Sequence, residues 1–205
     1  MEDKTAAFAA SQTRENLMRA FAGESQARNR YTIAAGIAHK SGLEVIQGLF
    51  LFTADQEKAH AKEFYRQLHD LGGQTVRVDG TYPVDLYADL LDYLRAAQKN
   101  EYGEWEHDYA QFARTAMDEG FPLVGKLFEN IAAVEKIHGD RFGRYADMLE
   151  QGRLFAEDVK VEWMCLNCGY VVTASTAPAN CPVCRHPQGY FVRVELAPYH
   201  SGPVK

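Results

Sequence analysis

Glu57-Lys58-Ala59-His60-Ala61-Lys62-Glu63-Phe64-Tyr65-Arg66 is answered, at an offset of 78, by Glu135-Lys136-Ile137-His138-Gly139-Asp140-Arg141-Phe142-Gly143-Arg144. Both stretches carry Glu-Lys-x-His, then Phe and Arg at the same spacing. An α-helix turns about 100° per residue, so Glu and His three apart leave from one face, one turn apart. A single Glu-x-x-His is usually solvated surface, and a third stands at Glu104-Trp105-Glu106-His107. The repeat chooses among the three. Leu17, Ala20 and Glu24 recur as Leu94, Ala97 and Glu101 at an offset of 77, whereas His107 has no counterpart. The chain reads as two related helical hairpins, each supplying one lone Glu and one Glu-x-x-His, the arrangement of a carboxylate-bridged di-metal site in a helical bundle.

Working outward, apolar periodicity predicts a first helix from about Ser11 to His39. A second opens at Ser41-Gly42-Leu43-Glu44, read as a capping box, and stops at Gly72-Gly73. A third runs from about Val84 to Asp118, and a fourth from Pro122 to about Gln151. In an antiparallel hairpin, residues equidistant from the turn share a height. Glu24 and Glu57 centre on Lys40-Ser41, and Glu101 and Glu135 on Asp118, so all four carboxylates can lie at one level. The segment from Gly72 to Val84 must then cross the bundle. Fully extended, it reaches at most about 43 Å, against about 42 Å for a helix of about 28 residues. A domain-swapped pairing of hairpins between two chains would relieve that tension.

The candidate ligands are Glu24, Glu57, His60, Glu101, Glu135 and His138. Four carboxylates offset the charge of two divalent cations; buried without metal they would repel and protonate. Oxygen and imidazole donors suit iron or manganese. The repeat isolates one departure: Ala27 in the first half is replaced by Glu104, one turn from Glu101, a fifth carboxylate able to join the site. Tyr31, Tyr102 and Trp105 are candidates to line or support it, although aromatic helix faces are more often core. His39 and His69 have no repeat support and receive no chemistry.

Cysteine first occurs at Cys165, and Cys165, Cys168, Cys181 and Cys184 together form C-x2-C-x12-C-x2-C. This pattern points to tetrahedral thiolate coordination, with either a structural zinc or a one-electron iron. Surrounding residues such as Trp163, Val171, Val172 and Phe191 predict short strands. With 205 residues, 46% of them apolar, the chain accommodates a large core and a small second domain. A net charge of −6 without a basic stripe argues against nucleic acid as a partner. No apolar run approaches about 20 residues, and the N-terminus lacks a signal-peptide pattern, so a cytoplasmic protein without membrane segments is expected.

These motifs, together with Ala20-Phe21-Ala22-Gly23-Glu24-Ser25-Gln26-Ala27-Arg28-Asn29-Arg30-Tyr31 and Glu101-x-x-Glu104, make the chain resemble the rubrerythrins over nearly its whole length. The resemblance implies a mainly α fold: a ferritin-like four-helix bundle with a long crossover over residues 1–155, and a rubredoxin-like β domain over 156–205. It implies two non-haem irons in the bundle and one iron held by the four cysteines. It further implies a peroxidase reducing hydrogen peroxide to water, with electrons ultimately from NAD(P)H through a rubredoxin or a reductase, and protection against oxidative stress. In that family Glu104 would be a true ligand, exchanging with His60 as the site is reduced, and Tyr31 and Tyr102 would lie close to the pocket. A head-to-tail homodimer would bring the two kinds of centre together across chains. Arg185-His186-Pro187 departs from free rubredoxins, which commonly have Gly after the last cysteine. The competing reading is a ferritin-type ferroxidase or iron-storage protein, for which a four-cysteine electron centre has little use. A third is a manganese- or zinc-loaded site with a structural zinc ribbon.

Overall fold

A computed structural model describes residues 2–197, with side chains from Ala6 onward. The segment 198–205, assigned above to the second domain, lies outside the described residues. A short helix α1 (Glu2–Ala9) precedes four long helical stretches: α2 (Gln12–Lys40), α3 (Glu44–Arg66), α4 (Leu90–Gly103) continued through a π-helical turn (Glu104–Asp108) into α5 (Tyr109–Asp118), and α6 (Pro122–Glu150). Three strands follow, β1 (Ala156–Cys165), β2 (Val171–Thr176) and β3 (Phe191–Arg193), in an antiparallel sheet of order β2-β1-β3. Among the described residues, no helix is long and apolar enough to cross a membrane.

Local chemistry explains the helix limits. Ser11 caps α2 by accepting from Arg14 N at 3.1 Å, and Asp89 caps α4 by accepting from Leu91 N at 2.8 Å. The left-handed residues Gly42 (φ 70°) and Gly120 (φ 82°) end α2 and α5 in equivalent turns. The expected capping box does not form. Leu43 occupies the N-cap of α3 without a side-chain bond, while Ser41 Oγ turns back to Ile37 O at 3.1 Å. Glu44 instead meets His39 Nδ1 at 2.7 Å, so its carboxylate is engaged across the turn.

The third long helix starts at Leu90 rather than near Val84, because Val84 and Leu86 are 80% and 74% exposed and offer no face to bury. That leaves the segment 72–89 for the crossing, a reach of roughly 60 Å. The tension inferred for the shorter segment disappears, because the longer segment is long enough to cross the bundle within one chain. The crossing segment runs along α2, tied to it by Arg19–Asp79 and Arg30–Asp85.

Two apolar clusters fill the bundle, one around Ile46, Phe50, Leu94 and Phe142, the other around Leu17, Phe64, Tyr109 and Phe128. Each fully buried large apolar side chain contributes about 1.5–3 kcal/mol. Their aromatic centres are related by the offset of 78, since Phe50 maps to Phe128, Phe64 to Phe142 and Tyr31 to Tyr109. Phe50 and Phe142 stand 5.2 Å apart with Tyr31 against them, and Phe64 and Phe128 stand 4.9 Å apart with Tyr109 against them.

The small domain packs Trp163 and Phe191 beside Cys165 and Cys181, with Trp163 Nε1 donating to Ala174 O at 3.0 Å. It seats closely on the α2–α3 turn. A Cβ on Gly189 would stand 1.8 Å from Gly42 O, so only glycine allows this approach.

Candidate metal centres

Between the two aromatic lids, the helices bring Glu24, Glu57, His60 and Glu135 into one group and Glu57, Glu101, Glu135 and His138 into another, with donor atoms of each group within 4.8 Å of one another. Glu57 and Glu135 belong to both. Glu135 places Oε1 2.9 Å from His60 Nδ1 and Oε2 2.9 Å from His138 Nδ1, and Glu57 does the same at 3.2 and 3.0 Å. Glu24 faces only His60, at 3.8 Å, and Glu101 only His138, at 3.3 Å. The imidazoles lie nearly parallel with centroids 5.6 Å apart.

These contacts are not hydrogen bonds. Both oxygens of Glu57 and of Glu135, Glu24 Oε2, Glu101 Oε2, His60 Nδ1 and both ring nitrogens of His138 are buried without hydrogen-bond partners. Several orphaned lone pairs in one small volume are costly unless a cation collects them. Two donors about 2.1 Å from a common ion at right angles stand about 3.0 Å apart, matching the 2.9–3.3 Å edges seen here. The two groups therefore fit a di-iron site, with two carboxylates facing both positions and one terminal carboxylate and one imidazole at each.

The electrostatics agree. Burial first, and neighbouring carboxylates second, raise Glu24 and Glu101 well above the usual carboxylate range. Burial would also raise Glu57, but His138 and His60 outweigh it and bring the group down to about 2. Burial opposes charge on His60 and His138, yet the surrounding carboxylates raise both.

Glu104 stands apart from both groups. It is partly exposed, opens the π-helical turn, and is raised well above its usual range by burial and then by Glu24, Glu101, Glu135 and Glu57. The turn is the physical origin of the slipping repeat. Glu24 and Glu101 are related by an offset of 77, whereas Gly42 and Gly120, like Glu57 and Glu135, are related by 78. The turns between α2 and α3 and between α5 and α6 are equal in length, so the extra residue lies inside the helix between Glu101 and Gly120, where the π turn accommodates it.

Of the tyrosines singled out, Tyr31 is buried and donates a short hydrogen bond to Glu101 Oε1. Tyr102 is not brought to the carboxylates. Its hydroxyl donates to Asp140 at 2.7 Å on the outer face, and its ring fills the space left by Gly139. The residue missed is Tyr109, buried and donating to Glu24 Oε1 at 2.5 Å, the mirror of the Tyr31–Glu101 contact. The offset of 78 would have found it, because Tyr31 maps to Tyr109 once the extra residue is counted. His107, His39 and His69 are exposed, away from the cluster.

In the small domain the four sulfurs lie within 4.8 Å of one another, with Cys165–Cys184 and Cys168–Cys181 both at 3.6 Å. A tetrahedral centre with metal–sulfur bonds of about 2.3 Å has edges of about 3.8 Å. All four cysteines are free, and the cluster fits a rubredoxin-like iron site. The knuckles are closed by Gly169 N to Cys165 O and Arg185 N to Cys181 O, both at 2.8 Å. Gly169 (φ 75°) and Arg185 (φ 64°) hold the same left-handed conformation, which only glycine adopts without penalty. The His186 backbone N–H helps bring Cys184 down to about 5, favouring its thiolate.

Comparison with known proteins agrees with both centres. The rubrerythrin family model matches residues 15–146, and that of the rubrerythrin rubredoxin-like domain matches 163–192. A rubrerythrin of Clostridium perfringens is 45% identical over 88% of this chain and 93% of its own length. One of Nitratidesulfovibrio vulgaris is 39% identical over the same shares. Among solved structures, partially reduced nigerythrin superposes with a TM-score of 0.61 at 27% identity, covering 90% of each chain. Desulfovibrio desulfuricans bacterioferritin shares the fold, with a TM-score of 0.62 at 21% identity over 74% of this chain and 85% of its own. With a bundle that gathers two Glu/His groups and a small domain that gathers four thiols, the chain belongs to the rubrerythrin family.

Proposed function

We propose that the chain is a non-haem peroxidase that reduces hydrogen peroxide to water, with two electrons and two protons converting one peroxide to two waters. The observation that carries this reading is the coexistence of the Glu/His groups and the four-thiol cluster in one chain. Oxidation for storage needs no external reductant, so a ferritin-type role would leave the second centre idle.

Glu24, Glu57, His60, Glu101, Glu135 and His138 would hold two irons, and the four cysteines a third; iron bound there would supply one-electron redox chemistry, two electrons in all for each peroxide. Glu57 and Glu135 fix the spacing of the pair, because each presents one oxygen to each imidazole. Tyr31 and Tyr109 orient Glu101 and Glu24. Their own pKa values are raised, by burial and then by those carboxylates, so both stay protonated donors. The Phe50/Phe142 and Phe64/Phe128 lids exclude water and strengthen each polar contact between them. Glu104, raised by burial and then by the neighbouring carboxylates, is the carboxyl placed to pass a proton toward the departing oxygen. It is also a candidate ligand that exchanges with His60. The partners in this reading are hydrogen peroxide, an electron-donating redox protein such as a rubredoxin or an NAD(P)H-dependent reductase, and a second copy of the chain.

The test is to load the protein with iron, reduce it anaerobically and titrate with hydrogen peroxide. Rapid reoxidation of both centres with two electrons consumed per peroxide is expected. Iron released and mineralised on turnover, or zinc retained by the four thiolates, would refute it. Glu104→Ala is expected to slow peroxide reduction by about 10²-fold or more while iron binding changes far less.

A further inference from the structure

The crossing segment is fastened to α2 at two points. Arg19 grips Asp79 twice, from Nη2 to the carboxylate at 2.7 Å and from Nε to the carbonyl at 3.1 Å. Arg30 pairs with Asp85, whose side chain is only 9% exposed and also accepts from Asn100 Nδ2 at 3.1 Å. Between these clamps the strap passes over a cleft of about 630 Å³ bounded by α2 and the π-helical turn. Tyr82 is the central residue of the strap. Its ring rests against α2 at Gly23, where a Cβ would stand 3.8 Å from Cε1, and its hydroxyl donates to Arg19 O at 3.3 Å.

Glu104 lines this cleft, whereas Glu24, Glu57, Glu101, Glu135 and His138 are each at most 1% exposed and His60, with a side chain 13% exposed, lies outside it. Tyr82 is raised by partial burial, with Arg19 opposing and Glu104 adding to the shift. The remaining wall is mixed, with polar Gln26, Lys99, Asn100 and Asp108 beside apolar Ala20, Pro83 and Phe112. The Tyr82 ring reaches from the strap to α2 at this cleft, so it obstructs a solute carrying a bulky organic group more than one the size of hydrogen peroxide.

We propose that this cleft is the entrance to the di-metal pair, and that the strap over residues 79–85, with Tyr82 at its centre, admits hydrogen peroxide and excludes hydroperoxides carrying bulky organic groups. The inference rests on the peroxidase reading for its substrate class, but not for the location of the entrance. Tyr82 is a specificity-determining residue that touches none of the proposed ligands.

Two measurements on the full chain test it. For the iron-loaded protein, kcat/KM is compared for hydrogen peroxide and cumene hydroperoxide. Tyr82→Ala is expected to raise the value for cumene hydroperoxide by about tenfold or more while that for hydrogen peroxide moves less than about threefold. Tyr82→Phe keeps the ring and is expected to behave as wild type. For the metal-free protein, the rate of Co²⁺ loading, read from its visible absorption, is expected to rise about fivefold or more in Tyr82→Ala. An unchanged peroxide preference together with unchanged loading would overturn the proposal, as would a preference shifted equally by Tyr82→Phe. Wild-type protein that reduces neither peroxide would refute the peroxidase reading instead, and Co²⁺ loading would still decide whether the strap guards the entrance.

Discussion

Replacing Tyr109 by Phe removes one hydroxyl from the centre of the bundle and nothing else. In the structure that hydroxyl donates to Glu24 Oε1 at 2.5 Å, and Glu24 faces His60 but not His138. A hydrogen bond to a charged group contributes about 1.5–3 kcal/mol, and about 1.4 kcal/mol is tenfold in affinity. The metal position beside His60 should therefore bind about 10- to 100-fold more weakly, and the position beside His138 should keep its affinity. Tyr31→Phe should do the reverse, because Tyr31 donates to Glu101, which faces His138 alone. The assay is titration of the metal-free chain with Co²⁺, followed by visible absorption and calorimetry. Wild type should take up two ions in the bundle, and each variant should show one tight and one weakened step. The double variant should weaken both. The ring remains, so the aromatic lid stays packed, and circular dichroism should be unchanged. If either single variant weakened both steps equally, or neither, the assignment of each tyrosine to one metal position would be wrong.

Stripping the metal should invert the pH dependence of stability. Glu24, Glu101, Glu104, His60 and His138 are all raised in the folded chain. A raised group stabilises fully below its unfolded pKa and loses that contribution as pH rises through its folded pKa. The carboxyls begin to lose their contribution above their unfolded pKa of about 4.3 and the imidazoles above theirs of about 6.5, with His138 losing it up to about 12, whereas Glu57, held down at about 2, contributes evenly between about pH 5 and 8. The Tm of chelator-treated protein should fall from about pH 5 to 8, while that of metal-loaded protein rises because its ligands must be deprotonated; parallel trends would refute the account. Arg185→Gly should stabilise the small domain by about 1 kcal/mol, because Arg185 occupies φ 64° where a side chain is penalised. Chemical denaturation followed at Trp163 measures it, and a destabilised variant would show that the Arg185 side chain contributes more than its backbone conformation costs.

The helical hairpins, the level of the four carboxylates and the two cysteine knuckles could be read along the chain because each follows from local periodicity. Three-residue spacing puts Glu and His on one face wherever the helix goes, and a two-residue gap between cysteines sets a knuckle on its own. The capping box failed because Ser41 and Glu44 had competing partners in Ile37 and His39, which become available only once α2 and α3 fold back on each other. The late start of α4 followed from exposure rather than propensity. Val84 and Leu86 look helical in sequence, but the crossing path leaves them no surface to cover.

By itself, the sequence determined which side chains can serve as ligands, since an internal repeat records two copies of the same helix face. It also held the count that betrays the π turn, the slip from 77 to 78, and with it the pairing of Tyr31 with Tyr109. The tertiary structure alone decided which carboxylates face both imidazoles and which face one, which tyrosine serves which carboxylate, and how Glu104 opens toward the cleft under Tyr82. Those relations depend on the rotation and height of one helix against another. Packing of the two aromatic lids sets these quantities, and no spacing within a single helix encodes them.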